Sequence, residues 1–203
     1  WDFLRPRTIE ALPLLERCLS VDLEVNPKTG EIFDLAAVRH GDGSAVVAAK
    51  GGLQRSLDRL EVEMAGFHHI LGHNILRHDM EHLFAARPRL RERMQAPIDT
   101  LWLNPLAFPR NPYHHLVKHY HDGQLQAGHI NDPELDARLV FQVLENQIEA
   151  FKAQSSDTLT AWHHLATRMD RSDGFDALFR HVRSASMPNR ATALAAIRRL
   201  LDG

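Results

Sequence analysis

The chain of 203 residues carries one cysteine, Cys18, and almost no net charge. A single thiol excludes an intrachain disulfide and fits a reducing, cytoplasmic setting. A formal net charge of −2 excludes a uniformly basic nucleic-acid binder but leaves room for local basic patches. No apolar run is long enough to span a bilayer and no signal-peptide pattern opens the chain, so no membrane partner is expected. Internal repeats and low-complexity tracts are absent too. What remains is 44% hydrophobic and 25% charged, the composition of a soluble globular protein with ample material for a core. The chain opens on Trp1 rather than Met and is expected to be a segment of a longer protein.

Organisation follows from periodicity. Residues 1–16 read as a short helical lead-in. Three strand-like runs follow, "CLSVDLEV", "EIFDLAAVRH" and "SAVVAAK", joined by the turn formers "NPKTG" and "GDG". They predict an antiparallel meander. Leu53, Leu57, Leu60 and Met64 recur at helical spacing. "FHHILG" reads as a short buried strand, "HNILRHDMEHLFAA" as a helix ending before Pro88, and "IDTLWL" as a fifth short strand or an extended edge. Residues 104–113, "NPLAFPRNPY", are expected to be irregular because of their prolines. "YHHLVKHY" predicts a short helix. A long helix begins near Asp132, a good N-cap with Pro133 at the first helical position. Residues 155–203 read as all-helical and more basic. The whole is α/β, a mixed sheet with helices packed on it.

Chemistry enters with the first strand. Asp22 and Glu24 lie two positions apart, so both carboxylates share one face of a largely apolar strand. Two like charges so placed need a positive partner. A buried ion-pair network is one answer. A hard divalent cation, which prefers several carboxylate oxygens, is another. Two further acids favour the cation. Asp79 follows a buried strand, on a helix that should pack on the sheet. Asp136 shares a stripe with Val140, Val143 and Leu144 on the long helix. An acid there suits the helix N-terminus, but its inward face is costly unless it is paired or bound to metal.

In this order, D-x-E on the first strand, an Asp after "GHN", and an Asp early in a late helix, the sequence resembles the DEDD superfamily of 3′–5′ exonucleases. Relatives of that type include ribonuclease T and the proofreading subunits of replicative polymerases. The resemblance covers about residues 15–153 and rests on "VDLEVNPKTGEIFDLAAV", "LGHNILRHDMEHL", "IDTLWL" with "NPYHHLVKHY", and "NDPELDA". It implies a ribonuclease H-like fold: a mixed five-stranded sheet flanked by helices. Residues 1–154 would be the exonuclease domain, and 155–203 a helical extension or linker to a further domain. It also implies two divalent ions, Mg²⁺ or Mn²⁺, held roughly 3.5–4 Å apart. Asp22 would bridge them, with Glu24, Asp79 and Asp136 completing the cage. The partner would be nucleic acid with a 3′ end, single-stranded DNA favoured, cut to nucleoside 5′-monophosphates. "NPYHHLVKHY" and "NDPELDA" look most like exonuclease domains fused to DNA helicases, so a helicase domain in the same chain is a further expected partner.

The sequence departs from the family pattern twice. Four residues separate Asn74 from Asp79, one more than is usual. The histidine subclass places its general base five positions before the last Asp, and Asn131 stands there. The tyrosine subclass would need Tyr where Asp132 stands. Either His129 is the replacement base or the site works without one, and an exposed loop histidine explains His129 equally well. Arg110, His114, His115, Lys118 and His119 are candidate phosphate contacts, or simply a solvated face. Two rival readings stand: a degenerate exonuclease-fold module that binds nucleic acid or protein without cleaving, and an HD-type phosphohydrolase built on "FHHILGHNILRHDMEH", which needs an all-helical fold.

Overall fold

A computed structural model describes residues 12–41, 45–48, 52–112, 114, 116 and 132–202. Strand β1 (Cys18–Val25) pairs antiparallel with β2 (Ile32–Arg39), and β2 pairs antiparallel with β3 (Ala45–Ala48). The expected meander is therefore present. Its first turn is fixed by local chemistry. Asn26 Oδ1 accepts from the Lys28 N–H at 2.9 Å, and Gly30 takes a φ of 72°, a left-handed conformation that glycine adopts without a steric penalty. Strands β4 (His69–Gly72) and β5 (Pro97–Asp99) continue the sheet in parallel with β1. The order is β3-β2-β1-β4-β5, so β1 is central. Its C-terminal end lies at the same edge of the sheet as those of β4 and β5, the edge at which open α/β sheets bind ligands.

Alternation sends the side chains of β1 to two cores. Leu19, Val21 and Leu23 pack with Leu57, Leu60 and Met64 of α1 (Leu53–Met64) and Met80 and Leu83 of α2 (Asp79–Ala86). On the other face, Cys18, Val38 and Leu71 pack with Val140, Leu144, Ile148 and Phe151. Those four belong to a 20-residue helix, Pro133–Lys152. Burial pushes the Cys18 thiol up to about 12, which leaves it a packing residue rather than a nucleophile.

Three expectations are corrected. Residues 73–78 are turns, so the helix of "HNILRHDMEHLFAA" begins only at Asp79. After the short helix α3 (Leu90–Arg93), the fifth strand ends at Asp99, and "TLWL" belongs to helix α4 (Thr100–Ala107). Pro105 lies inside α4, so part of the supposed irregular segment is helical. The Asp99 carboxylate caps α4 by accepting from the Leu101 N–H at 2.9 Å. That cap, with burial of Leu103, Asn104 and Ala107, offsets the one backbone bond that Pro105 cannot make.

The long helix is α5, followed by α6 (Ser156–Ala166), α7 (Asp173–Arg183) and α8 (Arg190–Asp202). The tail is helical as expected, but it is no separate layer. Phe175, Leu178 and Phe179 of α7 share one core cluster with α5 and the sheet. A Cβ at Gly174 would stand 2.0 Å from the Pro97 carbonyl oxygen, so α7 meets β5 with only a glycine's clearance. The boundary drawn at residues 154/155 thus runs through a common hydrophobic core. Helix α6 is tied to α7 by His163, which is fully buried. Its Nε2–H donates to Asp176 Oδ1 at 2.7 Å, while Nδ1 accepts from Arg183 at 2.7 Å. Burial holds this imidazole below its ordinary range, against the pull of Asp176. Helix α8 lies against α6. No helix among the described residues is long and apolar enough to cross a membrane.

Candidate metal centre

Two rigid elements bring three carboxylates together. Asp22 and Glu24 project from one face of β1, opposite Ala36 and Asp34 of β2. Helix α5 crosses that face. Its start is set by Asp132, whose Oδ1 accepts from the N–H groups of Glu134 and Leu135 at 3.1 Å, with Pro133 next, as the sequence predicts. This start puts Asp136, 7% exposed, in the first turn and on the stripe of Val140 and Leu144. One ligand oxygen from each of Asp22, Glu24 and Asp136 lies within 4.8 Å of the others. The positive end of α5 favours an acid here, yet three mutually close anions still repel one another. A divalent cation fits this donor set: hard oxygen ligands, one of them buried, fixed on a central strand and a long helix.

Asp79 is outside that group of three among the described residues. It is 2% exposed and opens α2. Its Oδ1 lies 3.5 Å from His78 Nδ1. The Asp79 hydrogen bond raises the His78 pKa above its ordinary value, with a smaller push from the charge of Glu24. His78 thus senses both Asp79 and the acid cluster. It also stacks edge-on to His82, ring centroids 5.0 Å apart, and His82 Nδ1 donates to the Gly30 carbonyl at 3.0 Å.

The segment leading to Asp79 is held by a residue that the sequence reading passed over. Asp99 is fully buried at the end of β5. Its carboxylate accepts from the N–H groups of Asn74 at 2.9 Å, Leu76 at 3.1 Å and Leu101. Burial raises its pKa, and the backbone N–H groups around it pull the other way. Asn74 sits at φ 70°, a region that asparagine tolerates better than most residues. Beside it, His73 Nδ1–H donates to Thr100 Oγ1 at 2.9 Å, and the Thr100 hydroxyl donates to the Gly72 carbonyl at 3.2 Å. The only sequence signal for Asp99 was an acid ending an apolar strand.

His129, Asn131, His115, Lys118, His119 and the helix expected over "YHHLVKHY" lie outside the described residues. Arg110 is exposed beyond α4. The His114 carbonyl accepts from Asn104 Nδ2 at 3.0 Å. Asp34, also unremarked in the sequence, faces Glu24 across the sheet, but its Oδ1 accepts from its neighbour, the Leu35 N–H, at 2.9 Å.

No family model, curated protein or solved structure matches this chain.

Proposed function

We propose that this chain is a metal-dependent 3′–5′ exonuclease of the DEDD type, cutting nucleic acid, with DNA favoured, to nucleoside 5′-monophosphates. The observation that carries the reading is the gathering of Asp22, Glu24 and Asp136 within 4.8 Å from a central strand and a late helix. The mixed five-stranded sheet flanked by helices is compatible with a ribonuclease H-like fold. It argues against the HD-type alternative, which needs an all-helical one. Bound divalent ions would supply an activated water and stabilise the charge on the leaving 3′-oxygen. Asp22 and Glu24 would hold one side of the site and Asp136 would close it from α5, with Asp79 of α2, beside His78, as the fourth acid. His129 is the residue of this segment that would take the water's proton, since the neutral Asn131 amide has no basic nitrogen to receive it.

Two observations favour the second reading, a module that binds without cleaving. Asp79 stands outside the trio, and Asn131 replaces the usual base. A single experiment separates the two. A 5′-labelled oligonucleotide is incubated with Mn²⁺, with Mg²⁺ or with chelator. Shortening from the 3′ end that chelator abolishes is expected. Asp22→Ala should reduce the rate at least about 100-fold, the upper end of what losing a group around a metal ligand costs. The exonuclease reading fails if chelator makes no difference or if Asp22→Ala keeps full activity. Binding without cleavage or metal dependence supports the non-cleaving module.

A further inference from the structure

Outside the acid cluster, a recessed apolar surface lies between α4, α6 and α7. A groove of about 310 Å³ is lined chiefly by Trp102, Leu106, Trp162, Leu165, Met169 and Phe175. Both indole rings are half-buried and Leu165 is 55% exposed, so the groove opens to solvent. Its volume is at the small end of ligand sites, room for one flat ring system and its attachment.

The groove starts from the same edge of the sheet as the proposed active site. Trp102 is three residues beyond Asp99, at the sheet edge where β1 presents Asp22 and Glu24. The guanidinium of Arg77 lies over the Trp102 ring, 4.9 Å from its centroid. Arg77 is exposed, makes no ion pair among the described residues, and precedes Asp79 by two positions. The segment that carries it is bonded to Asp99, the cap of α4. One short stretch of chain therefore leads from Asp79 to a cation stacked on an indole at the mouth of an aromatic groove.

We infer that Arg77, Trp102 and the groove beside them form a subsite for an unpaired nucleobase and its phosphate, upstream of the nucleotide being removed; this rests on the exonuclease reading. Charge selects the occupant. The strand is anionic, the acid cluster repels it, and Arg77 supplies an exposed cation beside the apolar groove. Base–aromatic stacking tolerates any sequence because every base has a π-face. A base already stacked within a duplex must be extruded to enter such a groove, so the subsite confers a preference for single strands.

The test reads binding apart from cleavage. Indole fluorescence is followed while a short single-stranded oligonucleotide is added to protein carrying Trp1→Phe and Asp22→Ala. Saturable quenching is expected. Trp102→Ala and Arg77→Ala should each weaken binding about 5- to 100-fold, the range that loss of one stacked base gives. Trp102→Phe should restore most of it, which a merely structural role would not predict. An oligonucleotide made abasic along its length should bind as weakly to the parent as the intact strand binds to Trp102→Ala. Equal affinities for the parent and Trp102→Ala, or a duplex binding as tightly as a single strand, overturn the assignment, and the groove is then left to a protein segment. Chelator-sensitive cleavage by the wild type is scored separately. Binding that depends on Trp102 without such cleavage sinks the exonuclease reading and leaves the subsite standing.

Discussion

Asp99 and Asp136 are both buried carboxylates on one sheet-and-helix framework, and their surroundings are opposite. Asp99 sits among backbone N–H groups from two segments, each aimed at an oxygen. Asp136 has other acids close by, with oxygens of Asp22 and Glu24 within 4.8 Å. The first arrangement answers the charge with the protein's own dipoles and so builds structure. The second concentrates charge that a cation can neutralise. An acid in a core is thus no signal of function until its neighbours are known: donors mark an anchor, and further acids mark a site.

The comparison predicts opposite responses to removing charge. Asp99→Ala should cost about 4 kcal/mol, because at least three hydrogen bonds to a carboxylate vanish and leave buried N–H groups unpaired. Asp136→Asn, measured in chelator, should cost far less or raise stability, because relief of repulsion within the trio offsets what its other contacts lose. Urea unfolding of both variants beside wild type checks this. A comparable loss in both would mean that the trio is structural after all.

Buried imidazoles extend the contrast. His69, 6% exposed at the start of β4, is pushed down by burial from 6.5 to about 4. Its Nδ1–H donates to the Ala96 carbonyl at 3.3 Å, and Nε2 has no hydrogen-bond partner among the described residues. Here the protein has removed the charge instead of matching it. Between pH 6.5 and about 4 the unfolded chain takes up a proton that the folded chain refuses. Stability is therefore retained above pH 6.5 and falls as pH drops toward 4, by up to about 3 kcal/mol from this group. Denaturation midpoints across that range should show the slope, and His69→Gln should flatten it. An unchanged slope would assign the acid sensitivity to other groups, His163 first among them.

Cations probe the other side. If the trio holds a divalent ion, Mn²⁺ at a hundred times its dissociation constant should add about 2.7 kcal/mol. At this chain length that is about 5–10 °C in Tm. The shift should disappear in Asp136→Asn and persist in Asp99→Ala. A shift that survives Asp136→Asn would place the ion elsewhere.

Much of this was legible in the sequence, for identifiable reasons. Alternation fixed β1, and with it the shared face of Asp22 and Glu24. Asp132 and Pro133 fixed where α5 begins, and therefore that Asp136 turns inward. What escaped reading depended on contacts between distant segments. Asp99 gains its meaning only from Asn74 and Leu76, about 25 residues earlier. "TLWL" reads as strand by composition and Pro105 as a breaker, yet the Asp99 cap and the packing of α4 on α5 make both helical. The tail looked separable because an amphipathic pattern does not reveal its partner. Gly174 against Pro97 is what shows that α7 packs on the sheet.

The smallest effect concerns the cap that sets the site's geometry. Asp132 accepts from the first N–H groups of α5 and lies one turn before Asp136. Asp132→Ala should cost about 1 kcal/mol, the usual worth of an N-cap. Asp132→Ser, which still caps, should recover most of it. The cap also fixes which turn of α5 faces β1, so fraying there should loosen Asp136 before it unfolds the helix. The Mn²⁺-induced shift in Tm should therefore shrink in Asp132→Ala by more than the stability loss requires, and return in Asp132→Ser. If the cation shift stays at its wild-type size in Asp132→Ala, packing of Val140 and Leu144 alone holds Asp136 in place, and the cap contributes stability without shaping the acid cluster.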